Sequence, residues 1–255
     1  MKLFLKYFIL FLCLIFLYSC ASVPAKPPDF PLGTSEVIPL ITTPFQRQDV
    51  FHVVGPGETL WRISKMYDVN IDDIMSANRL ANAEKIGMGQ ELFIPNAAPV
   101  RPVVPLYQSN KWKYIIVHHS ATDEGNAFAF YNLHLRRGFW NGLGYHFVID
   151  NGTLNKEVGQ IEISPRWIKQ QDGAHCKASN MNEEGIGICL VGNFSKENLS
   201  DKQLDSLVYL INILKKYYNI PNRNIMGHGQ VPGAATECPG LRFPWERFWS
   251  KLKSK

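Results

Sequence analysis

Two proline-rich breaks decide what this chain can fold into. Residues 21–50 are rich in Pro, Ser and Thr and poor in aromatic residues, and residues 96–108 carry the run APVRPVVP. Neither stretch can bury enough apolar surface to offset the entropy of ordering it. The first reads as a flexible tether and the second as an extended, semi-rigid linker. Between and beyond them lie a unit of 45 residues (51–95) and one of 140 (111–250). With 45% hydrophobic residues in 255, the chain has room for one or two ordinary globular domains.

Ahead of the tether, Lys2 and Lys6 precede a dense apolar run from Tyr7 to Tyr18. The run is short for a membrane span and reads as a signal peptide over 1–19. Its end, Leu17-Tyr18-Ser19-Cys20-Ala21, resembles a bacterial lipoprotein signal, although Tyr18 is bulkier than the small residue usual at its place. That resemblance implies cleavage before Cys20, lipid on Cys20 and a tether over 20–50 attached to a membrane. Ala21 after the cysteine implies an outer-membrane lipoprotein facing the periplasm. An uncleaved anchor is the alternative, and it leaves the same domains outside the inner membrane.

The formal charge is +5; without Lys2 and Lys6, 25 basic residues face 22 acidic ones, for +3. The basic residues are scattered, which argues against a nucleic-acid partner. Nothing suggests a coiled coil, and a monomer is expected. Beyond Cys13 and Cys20, three cysteines remain in an oxidising compartment, Cys176, Cys189 and Cys238. Cys176 and Cys189 could pair, but Cys189 sits in the apolar run Ile186–Val191 and reads as a buried thiol, so no disulfide is expected.

The 45-residue unit has the order β-α-α-β. FHVV is followed by a turn at Gly55-Pro56-Gly57, a helix with Leu60, Ile63 and Tyr67 on one face, a second helix from Ile71 to Asn78, and a closing strand ELFIP. HVVGPGETLWRIS, IMSANRL and IGMGQELFIP together resemble a LysM module across 51–95. The resemblance implies binding of N-acetylglucosamine-containing glycan, above all peptidoglycan. It places the sugar between Gly57, Glu58, Thr59 and Leu60 on one side and Ile86, Gly87 and Met88 on the other. Turn geometry, capping and packing are the competing roles for each of these residues.

From Lys111 strands and helices alternate, predicting an α/β domain with a mixed central sheet flanked by helices. KYIIVHH is a strand, Asn126–Arg137 a helix, GLGYHFVID a strand and TLNKEV its hairpin partner across Asn151-Gly152. GIGICLVGNF, apolar throughout, reads as a central strand. Ser200-Asp201 opens a long helix to Tyr217, 224–227 is a last short strand, and Pro244 opens a terminal helix.

Two histidines and a cysteine in this domain, His118, His228 and Cys238, have the donor chemistry of a zinc site with one coordination position left open. The spacing leaves other readings standing: a buried strand histidine, a loop histidine and a core cysteine. It also leaves His118 and His119 open, since alternation along a strand sends only one of them to the metal.

IIVHHSAT, GLGYHFVIDNGT, DGAHCKASNMNEEGIGICLVGNF and GHGQV…TECPG occur in an order that resembles the zinc-dependent N-acetylmuramoyl-L-alanine amidases and the peptidoglycan recognition proteins. That resemblance implies Zn²⁺ on His118, His228 and Cys238, and hydrolysis of the amide between N-acetylmuramic acid and L-alanine. It gives Tyr145 a part in orienting water or moving a proton. It gives Thr236, where some members carry Lys, a hydrogen bond to the tetrahedral intermediate, and it gives His175 a contact in the cleft. His119, His134, His146 and Glu237 are expected to be structural or solvated. Binding-only relatives typically lack the cysteine ligand, which separates an enzyme from the alternative, a non-catalytic peptidoglycan-binding lipoprotein. A zinc peptidase cutting within stem peptides is a further alternative.

Overall fold

The computed structural model describes residues 46–253; the apolar N-terminal segment, Cys20 and nearly all of the expected tether lie outside the described residues. The first elements are β1 (Gln48–Val53), α1 (Leu60–Tyr67), α2 (Ile71–Ala77) and β2 (Glu91–Ala97). β1 therefore begins inside the stretch read as tether. β1 and β2 pair antiparallel, and the two helices close over Ile63, Met66, Ile74, Leu92 and Ile94. The start of α1 is set by Thr59, whose hydroxyl accepts the Arg62 N–H at 3.2 Å.

The larger part follows as β3 (Tyr114–His119), α3 (Ala127–Arg136), β4 (Phe147–Asn151), β5 (Val158–Ile163), α4 (Pro165–Ile168), α5 (Met181–Glu184), β6 (Gly185–Leu190), α6 (Asp201–Tyr218), β7 (Ile225–Gly227) and α7 (Trp245–Lys253). The sheet order is β5-β4-β6-β3-β7. β4, β6, β3 and β7 run parallel, and β5 returns antiparallel at the edge. The expected mixed sheet flanked by helices is the observed fold.

Alternation along the strands divides the sheet's two faces. Ile115, Val117, Ile188 and Leu190 meet the apolar stripe of α6, with Leu204, Leu207 and Ile211, in the main core. On the opposite face Val148 and Cys189 pack with Phe130 of α3, and Ile116 packs with Met181 and Val231. Ser200 caps α6 as expected, accepting from Gln203 N–H at 3.2 Å.

Two expectations need correction. TLNKEV is not the hairpin partner. Gly152, Leu154 and Asn155 all have positive φ (92°, 50° and 58°), so the chain turns there and pairs only from Val158. β4 also begins at Phe147, which leaves Tyr145 and His146 in the irregular approach to the strand. Among the described residues no disulfide forms: Cys176, Cys189 and Cys238 are all free thiols. Among the described residues no helix is long and apolar enough to cross a membrane.

The linker is extended but does not swing free. Its carbonyls are taken from both sides: Arg62 Nε donates to Val103 O at 3.1 Å, Trp167 Nε1 to Pro105 O at 2.9 Å and the Tyr218 hydroxyl to Tyr107 O at 2.8 Å.

Leu207 is completely buried on α6, whereas Tyr209 on the same helix is 38% exposed. Leu207→Ala should cost about 2–5 kcal/mol in urea denaturation, through lost burial and a residual cavity. Tyr209→Ala should stay within about 0.5 kcal/mol. Equal losses would contradict the assignment of the core to this face.

Candidate metal site

The parallel ends of β3 and β7 lie side by side, with Val117 opposite Gly227, and each strand runs directly into a histidine. His118, one residue before the end of β3, lies on the face away from α6. His228 follows β7 on a single tight turn, His228–Gln230, whose Gln230 side chain accepts the Gly227 N–H at 2.8 Å. The third donor arrives on the loop that returns past this turn. Gly229 N–H donates to Cys238 O at 2.6 Å, fastening the two ligand-bearing segments together. A Cβ at Gly229 would fall 2.3 Å from the Thr236 carbonyl, so this approach requires glycine.

The result is a cluster in which one donor atom from each of His118, His228 and Cys238 lies within 4.8 Å of the others. His118 Nδ1 is 3.6 Å from Cys238 Sγ, and the His118 and His228 rings are 4.7 Å apart. His119 does not join them. Its ring turns to the main core, where Nδ1 accepts the Phe194 N–H at 3.2 Å, while its own N–H points at Cys238 Sγ from 3.4 Å. The open choice between the two histidines is resolved by this alternation.

A relay of imidazoles sets the donor state of His118. Its Nε2 lies 3.0 Å from His175 Nδ1, and His175 Nε2 lies 3.1 Å from Gly185 O. A carbonyl only accepts, so His175 carries its proton on Nε2 and receives the Nε2–H of His118 on Nδ1. The lone pair of His118 Nδ1 is thereby left facing Cys238. Burial, reinforced by the neighbouring His175 and His228, pushes the His118 pKa well below 6.5 and keeps the ring neutral. Burial lowers His175 to about 4. Burial also pushes the Cys238 thiol up to about 12, opposed by the His119 N–H; only a cation beside it would favour the thiolate.

His175 was expected to line the cleft. It is instead 8% exposed and sits behind His118, on the floor of the site. Room for it comes from Gly187, where a Cβ would fall 2.4 Å from the imidazole. A glycine inside an otherwise apolar strand was the sequence's signal for such a close approach. Which ring approaches could not be read without the fold, because His175 and His118 are 57 residues apart.

Tyr145 stands over the cluster with its ring 5.2 Å from that of His118. Burial, then Cys189 and Cys238, push its pKa well above 10, so the hydroxyl stays protonated and donates to the Cys189 sulfur. Its approach is held by His134 on α3, whose Nδ1 accepts the Gly144 N–H at 3.0 Å. Thr236 is exposed at the rim; its Oγ1 accepts the Cys238 N–H at 3.2 Å, which leaves the hydroxyl proton free to donate outwards. Glu237 is exposed beside it and His146 is buried, with Nδ1 accepting from Gly187 N–H at 2.9 Å.

The expected sugar-binding residues divide into two groups. Gly57, Thr59, Gly87 and Met88 are exposed, and Ile86 is half-buried against the small core. Leu60 is a core residue, 1% exposed. The Glu58 side chain is also buried: Oε2 accepts from Gly55 N–H and meets His52 Nε2, both at 2.7 Å, and Oε1 pairs with Arg62. Leu60 and Glu58 therefore build the loop and do not offer side chains to a ligand.

The family model for N-acetylmuramoyl-L-alanine amidase matches residues 108–241, and that for the LysM domain matches residues 52–95. Peptidoglycan-recognition protein SC2 of Drosophila melanogaster is 29% identical over 160 residues, 57% of this chain and 78% of that protein. The N-acetylmuramoyl-L-alanine amidase LysC from Clostridium intestinale URNW is 31% identical in a structural match covering 61% of this chain and 96% of that one, with a TM-score of 0.47. Bumblebee PGRP-SA matches at 25% identity over 53% of this chain and 80% of that one, with a TM-score of 0.43.

If His175 fixes the tautomer of His118, His175→Ala should weaken divalent-metal binding by about 10–100-fold. Competition with a chromophoric chelator measures this, and an unchanged affinity would remove the relay from the site's design.

Proposed function

The chain belongs to the N-acetylmuramoyl-L-alanine amidase family, and from that premise we propose that it is a zinc-dependent enzyme cleaving the amide between N-acetylmuramic acid and L-alanine in peptidoglycan. The observation that carries this reading is the convergence of Cys238 with two neutral imidazoles. Zinc bonds of ~2.1 Å to nitrogen and ~2.3 Å to sulfur, spread tetrahedrally, put N and S roughly 3.6 Å apart. The His118 Nδ1 to Cys238 Sγ distance is 3.6 Å. Three protein donors leave the fourth position open to solvent or substrate, the arrangement of a catalytic rather than a structural zinc.

Bound there, zinc supplies Lewis acidity towards the scissile carbonyl and lowers the pKa of water. The chain's own residues supply the rest. Tyr145, kept protonated, donates towards the reacting oxygen or orients the attacking water. Thr236 donates a neutral hydrogen bond to the developing oxyanion from the rim. His175 holds His118 in the tautomer that presents Nδ1.

The LysM domain binds the glycan of the same polymer, through backbone and exposed side chains of Gly57, Thr59, Gly87 and Met88. The apolar N-terminal run and Cys20 make the protein an exported lipoprotein, held in the outer membrane and facing the periplasm.

Mass spectrometry of digested muropeptides tests the bond specificity. Intact stem peptides and peptide-free glycan should be released, and a chelator should stop the release. Peptide fragments still attached to muramic acid would support a peptidase instead. Cys238→Ser should abolish hydrolysis and leave pull-down by insoluble peptidoglycan intact. Full activity in that variant would remove Cys238 from the site.

A further inference from the structure

An ion cluster with no place in the metal chemistry lies buried where the LysM domain meets the amidase domain. Lys156 Nζ, its side chain fully buried, sits 2.8 Å from Glu162 Oε2 and donates to Val53 O of β1 at 2.9 Å. Across the junction Arg62 pairs with Glu58 through one nitrogen and donates through Nη2 to Ile161 O at 2.9 Å. Ile161 and Glu162 belong to β5, the edge strand of the large sheet, so the arginine satisfies a carbonyl that the edge would otherwise leave open. Contacts at both LysM loops extend the junction. A Cβ on Gly57 would meet Ile168 of α4 at 2.9 Å, and one on Gly89 would meet Phe128 of α3 at 2.7 Å.

Glu162 is the hub of this junction. Its Oε1 accepts the Ala127 N–H at 2.6 Å, at the start of α3. Its register partner is Val148, which pairs with Cys189, which pairs with His118. The LysM contact and the first metal-site histidine thus occupy one row across the sheet, three strand spacings or about 14 Å apart. Removing charged groups from water is costly unless they find partners: here Lys156 lies against Glu162 and Arg62 against Glu58, while burial and the neighbouring Glu162 push the carboxyl of Asp150, buried beside them, towards its neutral form. Burial alone would lower the Lys156 pKa, but Glu162 and Glu58 outweigh it and raise it. Burial alone would raise that of Glu58, but His52 and Arg62 hold it well below the carboxylate range. A junction meant to swing open would have to hydrate or strand these charges.

We propose that the LysM and amidase domains act as one rigid body, locked through Glu58, Arg62, Lys156 and Glu162, so that bound glycan and scissile amide lie at a fixed separation and the preferred substrate is a glycan chain long enough to span both. This rests on the amidase reading and names its substrate class: polymeric wall or long glycan chains, in preference to short fragments. Lys156 and Glu162 are positioning residues in this scheme and touch no substrate.

The test uses the full-length, zinc-loaded protein and its Lys156→Met/Glu162→Gln double variant, which removes both charges together and keeps an acceptor for Ala127 N–H. Lys156→Met alone serves if the double variant is unstable, since Glu162 can then take up a proton. Two measurements are made: the rate of elastase cleavage after Val103 in the linker, and kcat and KM on soluble glycan-peptides of increasing chain length.

In the parent protein KM should fall about tenfold in a single step once the glycan spans both sites, with kcat unchanged. In the variant the linker should be cut at least about tenfold faster, and the step should blur into a shallow decline, as expected of a flexible tether. Its kcat on the shortest substrate should stay within about twofold. Identical length profiles, or an equally protected linker, would overturn the lock. A parent enzyme that hydrolyses these substrates without any length dependence would overturn this inference alone. A parent that hydrolyses none would overturn the amidase reading and this inference with it.

Discussion

The parallel pairing of β3 between β6 and β7 is the constraint on which the site depends. It holds β3 on both sides, so the direction of every side chain along IIVHH is set by strand alternation. His118 is thereby committed to the face where His228 and Cys238 arrive, and His119 to the core beside Phe194. A register slip of one residue would exchange the two histidines and dissolve the site. The apolar stripe of α6 opposes such a slip, because it accepts Ile115 and Val117 and would have to accept Ile116 and His118 instead.

The same strands explain why the candidate ligands His118, His228 and Cys238 need a second layer. A neutral histidine can present either nitrogen, and burial alone does not choose between them. The choice is made by His175, which is fixed through Gly185 O and fits only because residue 187 has no side chain. The thiol of Cys238 is held high by burial, so the site without a cation is a set of neutral groups. A divalent cation held there would favour the thiolate of Cys238 and would find the lone pair of His118 Nδ1 that the relay leaves free.

Much of this was legible in the residues. The α6 stripe, its Ser200 cap, the all-apolar β6 and the ββ pairing of the small domain follow from local periodicity and capping. The candidate triad was legible only with the surrounding motifs, because spacing treats His118 and His119 alike. What stayed hidden is what depends on approach in three dimensions. The turn through Leu154 and Asn155 delays β5, α4 and α5 are a single turn each, and His175 moves from the cleft to the floor. Glu58 is the clearest case. In sequence it is a polar residue of a loop expected to bind sugar, and in the fold its carboxylate is enclosed by His52, Gly55 and Arg62. No local pattern announces that Lys156, 103 residues from Val53, will reach it.

The central claim is that Cys238 and two histidines hold a catalytic zinc. X-ray absorption at the zinc edge of the purified full-length protein tests it most directly. One zinc per chain is expected, with one sulfur at about 2.3 Å, two imidazole nitrogens at about 2.0–2.1 Å and a single light scatterer from solvent. A shell without sulfur, or protein that is active with no stoichiometric zinc, would contradict it.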